Sequence, residues 1–118
     1  MVRVLVVDDQ GVYRRLLVRL LSASGFDVVG EAGTGEDAVR QVEATAPDVV
    51  LLDVLLPDFD GFEVARRVAA GATRPVIVLI SSRQREDFGA ILDLGLVRGF
   101  ICKDQLTVER LNGLLPEG

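Results

Sequence analysis

The sequence contains no histidine and only one cysteine, Cys102. Without histidine, the chain cannot build a Ser-His or Cys-His nucleophile pair, and it cannot carry a phosphohistidine of its own. A single cysteine cannot form an internal disulfide, which is typical of proteins from a reducing cytosol.

An excess of positive charge is also missing. The 118 residues carry a formal net charge of −5, whereas proteins that bind nucleic acid usually present a basic face to the phosphates. No apolar run reaches the roughly 18 residues that a membrane span needs, and no signal-peptide pattern opens the chain. We therefore expect a cytoplasmic protein that binds neither nucleic acid nor membranes directly.

Apolar residues are abundant at 49%, which is enough for a single domain, residues 1–118, with a sizeable core. Apolar runs of strand length alternate with segments patterned like helices. The predicted strands span 2–7, 26–31, 48–53, 75–81 and 99–102. The first predicted helix runs from about Val12 and is ended by Gly25, and the others span about 36–45, 62–70, 86–94 and 106–115.

Two of the predicted strands, 48–53 and 75–81, are apolar without alternation. Such strands are buried on both faces, which indicates a parallel sheet covered by helices on each side. The pattern favours an α/β, flavodoxin-like (βα)5 fold with a doubly wound parallel five-stranded sheet. The alternation alone does not give the strand order, and we expect 2-1-3-4-5 for five units of this size.

Polar residues follow four of the predicted strands. Asp8 and Asp9 end the first strand, Asp53 ends the third, Ser81 ends the fourth, and Lys103 follows the fifth. Each of them alone fits an ordinary strand end or surface position. In a sheet of this order, however, ligands bind beyond the carboxyl ends of the strands, where the order reverses between strands one and three. We therefore expect these five side chains to converge on one edge.

Three clustered carboxylates raise each other's pKa and destabilise the fold unless a cation neutralises them. Mg²⁺ suits such a cluster because it prefers a few carboxylate oxygens together with water and phosphate ligands. Lys103 adds a fixed positive charge. The predicted edge therefore has the composition of a phosphoryl pocket with an acidic nucleophile.

The same ordered set resembles the receiver domains of two-component response regulators over about residues 2–115. The resemblance is carried by Asp8-Asp9, by the segment 53–61 (Asp-Val-Leu-Leu-Pro-Asp-Phe-Asp-Gly), by Ser81 and by Lys103. Each motif is modest alone, but the set in this order and spacing is highly specific.

The resemblance implies that Asp53 is the phosphate acceptor. It implies a Mg²⁺ site formed by Asp9, Asp53 and the backbone carbonyl of Leu55, with Asp8 acting through water. Lys103 would pair with a phosphoryl oxygen.

The resemblance also implies a switch in which the Ser81 hydroxyl moves toward the phosphoryl group and the ring of Phe100 turns inward. Many relatives have tyrosine where this chain has Phe100. Asp104 directly follows Lys103, as it does in receivers that precede helix-turn-helix outputs of the LuxR type, whereas many other receivers have proline there.

The function implied by the resemblance is a signalling switch rather than an enzyme, with self-phosphotransfer and slow autodephosphorylation only. The expected partners are a sensor histidine kinase or a phosphotransfer protein, which Arg14, Arg15 and Arg19 of the first helix could contact. A homodimer would use the fourth predicted helix, the fifth strand and the last helix. The chain is expected to be either a single-domain regulator or a receiver cut from a longer protein whose DNA-binding domain is absent, and we favour the second.

Three other functions are compatible with parts of the pattern. An aspartyl-phosphate phosphatase of the haloacid-dehalogenase type needs an acid two residues after its nucleophile, where this chain has Leu55. A flavodoxin-like flavin binder needs a hydroxyl-rich phosphate loop after the first strand, where this chain has Asp9-Gln10-Gly11. A receiver-like module that is never phosphorylated would not need the intact acidic set.

Overall fold

The computed structural model of the chain describes residues 1–83 and 95–115. The strands are β1 (Arg3–Val7), β2 (Asp27–Ala32), β3 (Val49–Asp53), β4 (Val76–Ser81) and β5 (Gly99–Cys102). The helices are α1 (Gly11–Ala23), α2 (Gly35–Thr45), α3 (Gly61–Ala69) and α4 (Val108–Leu114), and a 3-10 turn, Lys103–Gln105, follows β5. The helix predicted at 86–94 lies outside the described residues.

The five strands form one parallel sheet in the order β2-β1-β3-β4-β5. This confirms the predicted order and the doubly wound α/β fold. Every residue of β3 is buried, because this strand lies in the middle of the sheet with a neighbour on each edge. Its continuously apolar sequence is the consequence, since neither of its faces contacts water.

The core has two layers, one on each face of the sheet, because successive strand side chains point to opposite faces. On one face, side chains of the central strands pack with Val42 of α2 and Val64 of α3. On the other face, the alternate side chains pack with Leu17 and Leu21 of α1 and Leu111 of α4. The strand side chains of the first layer include Leu5, Val7, Val50, Leu52 and Leu79, and those of the second include Val4, Val6, Leu51, Val78 and Ile80.

Short polar residues begin three of the helices. The side chains of Thr34, Asp60 and Thr107 accept hydrogen bonds from backbone N–H groups three residues later, at 3.1, 2.9 and 3.1 Å. Such caps satisfy donors that a helix leaves unpaired at its start. The cap at Thr107 also explains why the last helix begins at Val108, two residues later than the sequence pattern predicts.

Gly25 follows the end of α1 with a φ of 91°. This left-handed backbone conformation favours glycine and is common directly after a helix, so the predicted stop is confirmed. Among residues 1–83 and 95–115, the structure contains no helix with the length and apolar character that crossing a membrane requires.

Candidate functional site

The acidic residues predicted to converge do lie together at the carboxyl ends of β1 and β3. Each of Asp8, Asp9 and Asp53 offers a carboxylate oxygen, and these three oxygens lie within 4.8 Å of one another. Asp8 and Asp53 are buried, whereas Asp9 is exposed. The cluster is therefore a shallow site with two carboxylates at its floor and one at its open side.

Lys103 supplies the positive charge in this cluster. Its Nζ lies 2.7 Å from Asp8 Oδ2 and 3.1 Å from Asp53 Oδ2, and it donates to Gln10 Oε1 at 3.0 Å. Burial lowers the pKa of Lys103, but hydrogen bonds and Coulombic attraction from Asp8 and Asp53 outweigh it and hold that pKa above its ordinary value. The ammonium therefore stays charged and bridges the two buried carboxylates.

The carboxyl group of Asp53 is a poor acid in this setting. Burial is the largest cause that raises its pKa to about 6; the hydrogen bond from Lys103 lowers it, and the charge of Asp8 raises it further. A backbone N–H also stabilises the carboxylate, since Leu55 N donates to Asp53 Oδ1 at 3.2 Å. One ammonium thus compensates two buried carboxylates only in part.

Asp8 shows the same shortage of positive charge. Its Oδ1 accepts a hydrogen bond from Gln10 N at 2.8 Å. Its Oδ2 is fully buried and lies 2.7 Å from the Lys103 ammonium, which also contacts Asp53 at 3.1 Å; among the described residues, no other donor reaches it. Buried polar atoms are nearly always satisfied in native proteins, so this oxygen marks a place for an additional donor or cation. A hard divalent cation such as Mg²⁺ fits the oxygen-only donor set.

Ser81 and Phe100 lie on β4 and β5, the two strands that follow β3 across the sheet. Ser81 is buried at the end of β4 and its Oγ accepts a hydrogen bond from Arg83 N at 3.1 Å. The register pairs Ser81 with Cys102 of β5. Phe100 lies two residues before Cys102, and its partly buried ring packs against the core layer that contains Leu79.

Sequence reasoning missed three residues of the first turn of α1. Gln10 and Tyr13 both contact Lys103, the first through its amide oxygen and the second through its ring. Arg14 donates to the backbone carbonyl of Asp8 at 2.6 Å and pairs with Glu31 at 3.0 Å. The signal was the i, i+3 and i+4 spacing directly after Asp9, which puts these residues on one helix face. Arg14 thus supports the backbone of the site, and the kinase contact predicted for it stays a prediction.

A carboxylate outside this cluster, that of Asp58, anchors the loop between β3 and α3. Asp58 accepts from the backbone N–H groups of Gly35 at 2.8 Å and Glu36 at 2.9 Å, at the start of α2. Slight burial raises the pKa of Asp58, but hydrogen bonds from Glu36, Gly35 and Phe59 outweigh it and lower that pKa. The loop that carries Leu55 is therefore tied to the neighbouring helix.

Together, the fold and the site define a doubly wound α/β domain with an acid-and-lysine pocket at its topological switch point. The family model described as "Response regulator receiver domain" matches residues 4–113, which is nearly the whole chain. The chain therefore belongs to the response regulator receiver domain family.

Similar proteins agree with this assignment. The transcriptional regulatory protein PdtaR of Mycobacterium tuberculosis is 36% identical over 113 residues, which cover 92% of this chain and 55% of that protein. The DNA-binding transcriptional activator DevR/DosR of the same organism is 41% identical over 107 residues, with coverages of 88% and 48%. The signal receiver domain of a response regulator, NarL, also from Mycobacterium tuberculosis, has a TM-score of 0.84 at 36% identity and coverages of 96% and 95%.

The chain spans about half the length, or less, of the curated relatives it matches. A protein-glutamate methylesterase/protein-glutamine glutaminase of Myxococcus xanthus is 41% identical over 113 residues, but these cover only 32% of that protein. Relatives with different outputs thus share the receiver domain, so the shared part does not specify the output.

Proposed function

We propose that this domain is a phosphorylation-dependent switch of a two-component system in which Asp53 accepts a phosphoryl group. The proposed donor is a sensor histidine kinase, a phosphotransfer protein or a small phosphodonor. The observation that carries the proposal is the Lys103 ammonium between two buried carboxylates, beside an exposed third acid. This arrangement holds a cation at the position where a phosphoryl group on Asp53 would need one.

In the proposed reaction, a carboxylate oxygen of Asp53 attacks the phosphorus of the donor. A new O–P bond forms on Asp53, and the bond between phosphorus and the donor's leaving group breaks. Lys103 then exchanges part of its contact with the Asp53 carboxylate for a phosphoryl oxygen. Asp8, Asp9, Asp53 and the carbonyl of Leu55 would hold Mg²⁺, which, when bound, neutralises negative charge on the phosphoryl oxygens.

The proposed readout uses the neighbouring strands. Phosphorylation adds about two negative charges and three strong acceptors. The Ser81 hydroxyl would give up its bond from Arg83 N and donate to a phosphoryl oxygen instead, and Phe100 of β5 would follow it. Support comes from the burial of Ser81 at the strand end, one residue beyond Ile80, the partner of Asp53 in the sheet register.

The proposed output is control of transcription through a DNA-binding domain, by analogy with the named functions of the PdtaR and DevR/DosR relatives. The domain itself would bind neither DNA nor membranes, in the cytoplasm, and would catalyse only its own phosphorylation and slow dephosphorylation. We also propose that β5 and α4, together with the helix predicted at 86–94, form the contact of a homodimer or an output partner. That predicted helix lies outside the described residues.

A direct test is the mass of the intact protein after incubation with acetyl phosphate. The wild type should gain one phosphoryl group when Mg²⁺ is present and none when EDTA removes it, because the buried carboxylates need a second cation beside Lys103. If neither acetyl phosphate nor a beryllofluoride mimic produces a Mg²⁺-dependent change, the phosphorylation-independent module becomes the better description. Turnover of generic phosphomonoesters would favour the phosphatase, for which the exposed apolar Leu55 replaces the required acid.

The affinity for Mg²⁺ should depend on pH. Because the pKa of Asp53 is raised to about 6 by burial and by Asp8, despite the hydrogen bond from Lys103, a proton competes with the metal ion below this pH. We expect affinity to fall by about tenfold per pH unit below 6 and to level off above 7. Calorimetric titration between pH 5 and 8 measures this slope. Asp53→Asn is the control and should bind weakly with little slope; a wild-type affinity that stays constant from pH 5 to 7 contradicts the assignment.

A further inference from the structure

The first turn of α1 places an aromatic ring against the lysine of the site. The Nζ of Lys103 lies 4.8 Å from the centroid of the Tyr13 ring. The Tyr13 hydroxyl also donates a long hydrogen bond to the backbone carbonyl of Lys103, at 3.4 Å. Tyr13 therefore contacts both the charged end and the backbone of the same residue.

The ring completes the surroundings of the ammonium. Within the described residues, the groups around Nζ are the carboxylates of Asp8 and Asp53, the amide oxygen of Gln10 and the face of Tyr13. The side chain of Lys103 is only 9% exposed. Three oxygen acceptors thus attract the ammonium, and the ring limits where its flexible four-carbon chain can move.

An ammonium over the face of an aromatic ring is attracted by the ring quadrupole, and more strongly when water is largely excluded. Burial raises the pKa of Tyr13 to about 12, and the charges of Asp8 and Asp53 contribute to the rise. At neutral pH the hydroxyl therefore remains protonated and can donate to the Lys103 carbonyl. Both contacts favour a Lys103 that points into the acidic cluster.

We propose that Tyr13 is a positioning residue that holds the Lys103 ammonium between Asp8 and Asp53 and thereby sets the rate at which Asp53 accepts a phosphoryl group. The rate part of this proposal rests on the proposed function of Asp53. A phosphoryl oxygen arriving at Asp53 needs the ammonium at the correct place, and small errors of position in such sites cost large factors in rate.

The composition of the chain makes this contact directly observable. Tyr13 is the only tyrosine and Lys103 is the only lysine, and there is no tryptophan. Protein labelled with carbon-13 at the lysine ε position therefore gives a single lysine signal. In the wild type, this signal should be displaced by the ring current of Tyr13 and should show cross-relaxation with the tyrosine ring protons.

Two substitutions separate the ring from the hydroxyl. Tyr13→Phe keeps the aromatic face, so the displaced lysine signal should persist and the rate of phosphorylation by acetyl phosphate should stay within about twofold of the wild type. Tyr13→Leu keeps an apolar side chain but removes the quadrupole. In this variant, the lysine signal should lose its displacement, and the rate should fall by roughly threefold to thirtyfold.

The affinity for Mg²⁺ shows whether Tyr13→Leu only releases Lys103 or also damages the fold. A Lys103 that is held less firmly between the carboxylates repels a second cation less, so Tyr13→Leu should bind Mg²⁺ as tightly as the wild type or more tightly. Leu20→Ala, a change at an exposed position on the same helix, is the matched control and should leave the lysine signal and the rate unchanged.

Two results would overturn the proposal. One is a Tyr13→Phe variant that is as slow as Tyr13→Leu; the other is a lysine signal that is the same in the wild type and in Tyr13→Leu. If the wild type accepts no phosphoryl group at all, the proposed function of Asp53 and the rate part of the inference fail together. The lysine signal then decides by itself whether Tyr13 positions Lys103.

Discussion

Asp53→Asn is expected to abolish the gain of a phosphoryl group and, in the absence of divalent ions, to make the fold more stable at neutral pH. The first effect follows because an amide is not a nucleophile for this reaction. The second follows from the raised pKa of Asp53, about 6, of which burial is the largest cause. At pH 7 the wild type ionises this buried group at a cost that asparagine avoids.

The sign of the pH dependence follows from proton linkage. The pKa of Asp53 in the folded state, about 6, exceeds the value of about 3.9 for an aspartate in an unfolded chain. The favourable contribution of protonated Asp53 is therefore complete below about pH 4 and is lost as the pH rises through 6. Removing the carboxylate should raise the free energy of unfolding at pH 7.5 by on the order of 1–2 kcal/mol, because Lys103 also loses one partner.

Denaturant unfolding with EDTA at pH 4 and pH 7.5 measures this difference. The stabilisation should be present at pH 7.5 and largely absent at pH 4, and added Mg²⁺ should stabilise the wild type more than the variant. Asp27→Asn, at an exposed position where β2 begins, should change neither stability nor phosphorylation. An Asp53→Asn variant that still takes up a phosphoryl group would refute the assignment of the acceptor.

Gly61→Ala is expected to destabilise the protein by about 1–3 kcal/mol or more, because the two atoms nearest to the added Cβ belong to the backbone and cannot move aside as a side chain can. A Cβ at this position would lie 2.7 Å from the carbonyl oxygen of Asp53 and 3.1 Å from the Cα of Val54. The N–H of Gly61 also donates to the carbonyl of Val54 at 2.8 Å. The backbone at Gly61 therefore cannot move away from β3 without losing this hydrogen bond. The Asp53 carboxylate should shift with its backbone, and phosphorylation should slow as well.

Gly113→Ala is the matched control for Gly61→Ala. In the part of the chain that the structure describes, no atom beyond the helix's own backbone and the adjacent residues lies within 4 Å of a Cβ at Gly113, which is exposed in α4. A glycine-to-alanine change in an open helix should stabilise by about 0.4–1 kcal/mol, because the unfolded chain loses freedom. Thermal and denaturant unfolding of the two variants should therefore change in opposite directions. Equal stability of Gly61→Ala and the wild type would show that the turn can relax.

Much of the architecture could be predicted because burial leaves a direct record in the residues. The uninterrupted apolar run Val49–Leu52 required a central strand, and the structure buries every residue of it. Strand β5 begins and ends at the predicted residues, 99 and 102. Boundaries were less certain, as at the last helix, where the cap at Thr107 sets a start two residues later than the predicted position 106.

The composition of the site followed from the same reasoning. Once the strand order is 2-1-3-4-5, the residues after β1, β3, β4 and β5 must share one edge. With that order, the sequence determined that the strand-end residues Asp8, Asp9, Asp53, Ser81 and Lys103 would share this edge. Their roles as phosphate acceptor, metal ligands and switch remain predictions that the experiments above test.

Only the tertiary structure decided which of these charged groups are buried and which of them contact one another. Asp8 and Asp9 are neighbours in the chain, yet one is fully buried against Lys103 and the other is exposed. The face of α1 that meets the end of β5 brings Tyr13 to Lys103 and turns Arg14 toward the backbone of Asp8. The sequence shows which residues follow a strand. The distances between their charged side chains determine the pKa values, and these distances depend on how a helix is rotated and packed against the sheet. That packing is determined jointly by all the contacts of the core.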